Sequence, residues 1–306
     1  MIGYLIYPAT TPRTNNAFSW FCDAAMQNGI ELKVFFYDSP EVEPQFTGAP
    51  LPDFVFLRGY HIPLAQWYES QGVKVINTSH SMIACRDKYI TSQMLSAANI
   101  HTPETLPPFF PTGANVESES SSAPSFEYCA ERLSTPFILK QLYGSKGENV
   151  YLIDSPQGYR QALEQCNAEF EKRIQASSHN SEFGTSEEEI RRGAMVIAQK
   201  FISSSKGKDI RVWVIDGVVI GHILRYNDNS FKSNFAQGGS FKETQLPENG
   251  ANTAIAAARA LGLSFAGVDL LYLDNGEFSV CEVNGNPGFR TATTDIPQGI
   301  FRNLKI

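Results

Sequence analysis

The 306-residue chain has no CxxC pair, no GxxxxGK[ST] loop, no internal repeat and no apolar run long enough to span a bilayer. Its five cysteines, Cys22, Cys85, Cys129, Cys166 and Cys281, are odd in number and scattered. That pattern excludes a zinc or disulfide framework and predicts reduced thiols in a cytoplasmic protein. Positive charge is scarce, with 25 Lys and Arg against 32 Asp and Glu and a formal net charge of -7. No basic footprint for nucleic acid remains. The opening MIGYLIYPAT carries no basic residue ahead of its short apolar run. It reads as a first strand, not a signal or membrane segment, and no membrane partner is expected. Neither a Ser/His/Asp nor a Cys/His pattern stands out among the residues, so nucleophilic catalysis has no candidate.

What is present is ordinary globular composition over a length that suggests two or three packed units. Residues 3–7, 32–37, 53–57 and 73–76 are short β-rich runs. Between the first two, Phe18, Phe21, Cys22 and Ala25 recur at helical spacing, closed by Gly29. IPLAQWYESQG is a second helical stretch, and the alternation predicts a parallel α/β unit. A continuous helix is predicted from about Ser81 to Asn99. Residues 111–125 and 176–189 are polar, Ser-rich inserts, the second expected to be mobile. Residues 136–153 read as strand-turn-strand, residues 194–225 as several strands, and NTAIAAARALG as a helix.

The stretch GVDLLYLDNGEFSVCEVNGNPGFR, residues 267–290, raises the functional question. Asn275-Gly276 between β-runs predicts a two-residue hairpin turn. Counting outward places Asp269 opposite Glu282, with Asn284 on the same face. Both strand faces are otherwise apolar, so the hairpin is expected to be covered on both sides. Facing carboxylates repel, and uncompensated buried charge is costly. Either a hard cation joins the two acids and the amide oxygen, magnesium above all, or the hairpin is solvated and the acids never meet.

Lys140 ends an apolar strand and is followed by Gly144-Ser145-Lys146-Gly147. Glycine backbone and lysine charge suit phosphate, although a plain surface hairpin fits as well. Lys88 falls inside the predicted helix, where a solvated lysine is the ordinary reading. A second hairpin signal, Asp216-Gly217, places Arg211 opposite His222. Arg225 and Lys232 read as edge charges or as ligands. Arg13 and Arg58 follow strands of the first unit and are further candidates to meet an acidic substrate.

Taken together, these motifs resemble the ATP-grasp superfamily, and within it the RimK-type ligases that join glutamate or other amino acids to a carboxylate. The resemblance runs from about residue 72 to residue 290 and is most specific in GVDLLYLDNGEFSVCEVNGNPGF. It implies an α/β (α+β) ATP-grasp fold with an N-terminal Rossmann-like pre-ATP-grasp domain. The expected domains are 1–86, 87–198 with the glycine-rich loop, and 199–306 with the metal site. The resemblance assigns Asp269, Glu282 and Asn284 to magnesium, with manganese able to substitute. It assigns Lys88, Lys140 and the loop Gly144, Ser145, Lys146 and Gly147 to the phosphates of ATP. It gives Gln199, Lys200 and Phe201 to adenine, and Asp209, Lys232, Ser233 and Asn234 to further nucleotide contacts. Two departures stand out: Lys200-Phe201 where the family usually has Glu-Tyr, and Lys232 for an arginine, which loses the bidentate fork. The implied reaction phosphorylates a carboxylate and passes its acyl group to an amine, with Arg225 and Arg290 as the expected catalytic arginines. The acceptor is a small carboxylic acid or a peptide, the amine an amino acid, and homo-oligomerisation is left open. A kinase on the same scaffold and a silent nucleotide-binding protein are the alternatives.

Overall fold

The computed structural model describes residues 1–37, 50–111, 123–144, 147–176, 191–233 and 238–305. Most of both polar inserts, and Ser145, Lys146 and Asn234, lie outside the described residues.

The alternating N-terminal pattern forms a parallel sheet. It contains β1 (Ile2–Tyr7), β2 (Glu31–Phe36), β3 (Phe54–Leu57) and β4 (Lys74–Ile76), in the order β2-β1-β3-β4. Helices α1 (Ala17–Gln27) and α2 (Ile62–Ser70) connect its strands. The predicted single helix is instead two, α3 (Ser79–Arg86) and α4 (Lys88–Ala97). The break is at Asp87, whose backbone is extended (φ -89°, ψ 107°) and whose carboxylate accepts from the amides of Tyr89 and Ile90. An aspartate there serves α4 better as an N-cap than as a mid-helix residue. Lys88 is thereby the first residue of a helix, not an interior one.

A three-stranded antiparallel sheet follows, ordered β6-β5-β7: β5 (Phe137–Gln141), β6 (Val150–Ile153) and β7 (Val196–Lys200). Cys129 and Leu133 of α5 (Phe126–Leu133) and Leu163 and Cys166 of α6 (Pro156–Ala176) pack with Phe137, Leu139 and Ala198 in one core.

The third sheet is antiparallel, ordered β10-β9-β8-β11-β12. Its strands are β8 (Lys208–Ile215), β9 (Val218–Tyr226), β10 (Ser240–Lys242), β11 (Phe265–Tyr272) and β12 (Phe278–Asn284). Period-two alternation divides its faces. Val212, Val214, Val268 and Leu270 pack under Ala254, Ala257 and Ala258 of α7 (Glu248–Ala260). Trp213, Ile215 and Phe265 pack against Phe21, Phe54 and Phe56 of the first unit and Ile296 and Ile300 of α8 (Ile296–Asn303). The hairpin is covered by α7 on one face, while Leu271, Cys281 and Glu282 of the other line a cleft, so the expected cover on both sides is only partial. No helix among the described residues is long and apolar enough to cross a membrane.

One buried side chain ties the first sheet to the third. Asn77 donates to the carbonyls of Phe265 and Gly285, both at 2.7 Å, and accepts from the Phe265 amide at 2.8 Å. It therefore fixes the start of β11 and the residue that follows Asn284. Asn77→Leu should leave these buried groups unpaired and lower stability by about 2–4 kcal/mol. A fall in the urea midpoint without a change in slope is the expected reading.

Candidate active site

The hairpin brings Asp269 and Glu282 opposite each other. The route differs from the one the sequence predicts. The turn holds three residues, not two: Leu273 pairs with Glu277, and the Gly276 amide bonds the Leu273 carbonyl at 3.2 Å. Gly276 takes φ +81°, the left-handed position such a turn demands. This moves the register by one residue, and a bulge at Cys281 moves it back: Leu270 pairs with Val280 and Asp269 with Glu282. Cys281 and Glu282, although consecutive, both line the cleft, while Val280 and Val283 are both in the core. Asn284 follows on the face of Glu282, opposite Gly267.

Asp269 is buried and does not rely on a metal for compensation. Arg211, its neighbour across β8, donates from Nη2 at 2.8 Å and also from Nε. Arg225 Nη2 lies 2.8 Å from the same carboxylate. On β9, Arg225 also holds its own cross-strand partner Asp209, at 2.7 and 2.8 Å, and Ser233 donates to Asp209. Burial pushes the Asp269 carboxyl up, but Arg211 and Arg225 more than reverse this and hold it below the usual range. At Asp209 burial wins and the carboxyl is raised. One expectation is thereby corrected: a bulge between Trp213 and Val214 places Val212, not Arg211, opposite His222. Arg225, an expected catalytic arginine, is buried and engaged with two aspartates.

The cleft lies between the second and third sheets and encloses about 900 Å³, its open mouth included. Its apolar lining includes Ile138, Val150, Phe201, Ile202 and Leu271. Gln199 and Lys200 also line it, and the Lys200 amide is committed to the Glu104 carbonyl at 2.8 Å. Lys88, Lys140 and Lys232 line the same cleft with Glu282. Lys140 Nζ is buried against Gln199 Oε1 at 2.7 Å, and Gln199 in turn donates to Thr105 at 2.8 Å. Lys88 Nζ donates to the Gly144 carbonyl at 2.8 Å, and Lys232 Nζ to the Gly147 carbonyl at 3.0 Å. The two described glycines of the loop are thus each held by a lysine. Burial lowers Lys88 to about 8, with Lys140 adding to the effect and Glu282 opposing it. Burial pushes the Cys281 thiol up to about 11, so it is no thiolate nucleophile at neutral pH.

Asp269, Glu282 and Asn284 offer oxygen donors only, the set that suits a hard cation. Described residues of Arg211 and Arg225 occupy three acceptor positions of the Asp269 carboxylate, leaving one of about four open. Asn284 Oδ1 accepts from the Asn286 amide at 2.9 Å and keeps a second lone pair. Among the described residues no set of three or more His, Cys, Asp or Glu could hold a metal, so the amide is needed to complete this one.

The remaining arginines are elsewhere. Arg290 is exposed and lines a separate groove with Trp20 and Asp23 of α1. Arg58 donates to the Pro287 carbonyl at 3.0 Å inside a ring of Phe21, Phe56, Phe265 and Phe289. Arg13 stacks on Phe36. Sequence reasoning missed Arg211 and Arg86. The first pairs through β8 and β11, which are not chain neighbours, and no local pattern reveals it.

The RimK-like ATP-grasp domain family matches residues 85–304. The chain is 32% identical over 229 residues to human N-acetylaspartylglutamate synthase A, covering 74% of this chain and 50% of that protein. It is 27% identical over 292 residues to a probable alpha-L-glutamate ligase of Haemophilus influenzae, covering 92% and 84%. Among solved structures, ATP-grasp ligase PsnB complexed with minimal precursor, Mg and ADP superposes with a TM-score of 0.64 at 16% identity, over 98% of this chain and 96% of that one. The chain spans about half the length of the synthase it matches. The cleft, its lysines and the acid-amide hairpin thus accompany a match over most of the chain, which belongs to the RimK-like ATP-grasp domain family.

Proposed function

We propose that the chain is an ATP-dependent carboxylate–amine ligase that forms an amide bond through an acyl phosphate and releases ADP and phosphate. The observation that carries this is the lining of the cleft, which brings apolar side chains, three lysines and Glu282 into one cavity. Those groups suit adenine, phosphates and a metal-bearing reaction centre respectively.

The adenine sits against Gln199, Lys200 and Phe201. Lys88, Lys140 and Lys232 take the phosphates, with Gly144 and Gly147 beside them. To do so Lys88 and Lys232 exchange the Gly144 and Gly147 carbonyls for phosphate oxygens. Asp209, Arg225 and Arg211 position Asp269. When bound at Asp269, Glu282 and Asn284, magnesium neutralises charge on the transferring phosphoryl group, and manganese satisfies the same oxygen donors. A carboxylate oxygen of the acid attacks the γ-phosphorus, and the bond to the β-γ bridging oxygen breaks, with ADP taking the electron pair. The amine nitrogen then attacks the acyl carbon, phosphate leaves with its bonding pair, and the nitrogen loses a proton to solvent. The acid is a small carboxylic acid or peptide end, and the amine an amino acid such as glutamate.

With L-glutamate as amine, the enzyme should convert ATP to ADP and phosphate in the presence of its acid, with N-acetyl-L-aspartate the first to try. Hydroxylamine in place of the amine should give a hydroxamate that requires ATP, magnesium and the acid together. A stable phosphate ester with no free phosphate would mark a kinase and overturn the ligase reading.

Replacing Glu282 with Gln should reduce single-turnover ADP formation by about 10²-fold or more, if it supports the transferring group as assigned. Unchanged single-turnover rates would remove Glu282 from the site.

Lys88 binds phosphate as a cation, and the free enzyme loses that cation as pH rises through about 8. Affinity for AMP-PNP with magnesium should therefore fall by about tenfold between pH 7 and pH 9. In Lys88→Arg, which stays charged across this range, the profile should be flat. Parallel profiles for the two proteins would exclude Lys88 as the titrating group.

A further inference from the structure

A second cavity lies behind the reaction centre, with about 500 Å³ of free space, mouth included. It shares Lys88, Gly144 and Glu282 with the nucleotide cleft. These residues form a partition, with the cleft on one side and this cavity on the other. Asn284 opens onto the cavity side alone. Its remaining walls include Tyr60, Arg86 and Tyr143.

Arg86 is the last residue of α3, immediately before the break at Asp87. Its guanidinium carbon stands 4.9 Å from the Tyr143 ring centre and 5.7 Å from that of Tyr60. The two rings fix the direction of the fork, since a guanidinium on aromatic faces is held electrostatically. Nη2 is nevertheless buried and has no hydrogen-bond partner among the described residues. Its neighbour Asp87 does not serve it, because that carboxylate caps α4 and holds Arg192 at 3.1 Å. Glu282 lines the same cavity without reaching Nη2. A buried charged donor left unpaired is costly, so the fork is built to receive an acceptor.

We propose that Arg86 receives a substrate carboxylate in this cavity, either that of the acid to be activated or that of the incoming amino acid. This rests on the ligase reading above. A carboxylate suits the planar fork. The position suits the reaction, because the cavity and the cleft share Lys88, Gly144 and Glu282, so a ligand anchored on Arg86 lies beside the space assigned to the phosphates. The rings of Tyr60 and Tyr143 give the carbon skeleton an apolar bed. The class of ligand is thus a compact acid with its carboxylate innermost.

The test is calorimetric titration into enzyme saturated with AMP-PNP and magnesium, using N-acetyl-L-aspartate, citrate and L-glutamate separately. Wild type should bind at least one. Arg86→Met should weaken that binding by about 10- to 100-fold, the loss expected for one charge-assisted hydrogen-bonded contact. Arg86→Lys, which keeps the charge and loses the fork, should lie between the two and serves if the Met variant does not fold. AMP-PNP affinity should stay within about twofold in both. A loss confined to L-glutamate assigns the site to the amino acid, and a loss for the other probes assigns it to the acid. Equal carboxylate affinity in all three proteins, no carboxylate bound by wild type, or a parallel loss of AMP-PNP affinity would overturn the proposal. Wild type that fails to bind AMP-PNP would overturn the ligase reading first.

Discussion

The third sheet is organised around a buried ladder of alternating charge. Arg225 on β9 faces Asp209 on β8, Arg211 on β8 faces Asp269 on β11, and Arg225 reaches diagonally to Asp269 as well. Each charge would be prohibitive alone at this depth. In sequence across three strands they neutralise one another, and the ladder fixes the carboxylate that opposes Glu282. The Asp269 carboxylate is thus oriented by side chains of its two neighbouring strands. The ladder confers position more than stability, because an apolar set of similar volume would cost less to bury.

The N-terminal unit was legible because alternating apolar runs and helical spacing are local signals. The burial of one hairpin face was legible too, in the apolar Val268, Leu270 and Val280, whereas the apolar Leu271 of the other face lines the cleft. The Asp269–Glu282 opposition is more instructive. It follows from counting outward from a two-residue turn, and the molecule reaches it through a three-residue turn and a compensating bulge. Two displacements of opposite sense cancel at the functional pair and leave residues 270–280 displaced. The same kind of bulge in the β8–β9 hairpin is not compensated, and there the count misplaces Arg211. Bulges leave no compositional mark, so a register argument is safe only as far as the first one.

Capping was the other blind spot. Read by periodicity, residues 81–99 are one helix. Asp87 divides them because its carboxylate can satisfy two amides at once. The division decides function, since it sets Lys88 at a helix start facing the loop and Arg86 at a helix end facing the second cavity. Arginines of the first unit were unreadable for a different reason. Arg58 resembles a ligand in sequence, but it is enclosed by four phenylalanines that come from distant segments.

The bulge at Cys281 also sets a rule of parity for this hairpin. With one extra residue absorbed there, Val280 and Val283 point to the core while Cys281 and Glu282 point to the cleft. Losing a single residue between the turn and Glu282 without losing the bulge would exchange the faces, carrying the glutamate into the core and a valine into the cleft. Gains and losses of length in this strand are therefore tolerated in pairs, or singly only where the bulge appears or vanishes with them. In relatives of this chain, hairpin length should drift by even steps while the acid and amide keep their places.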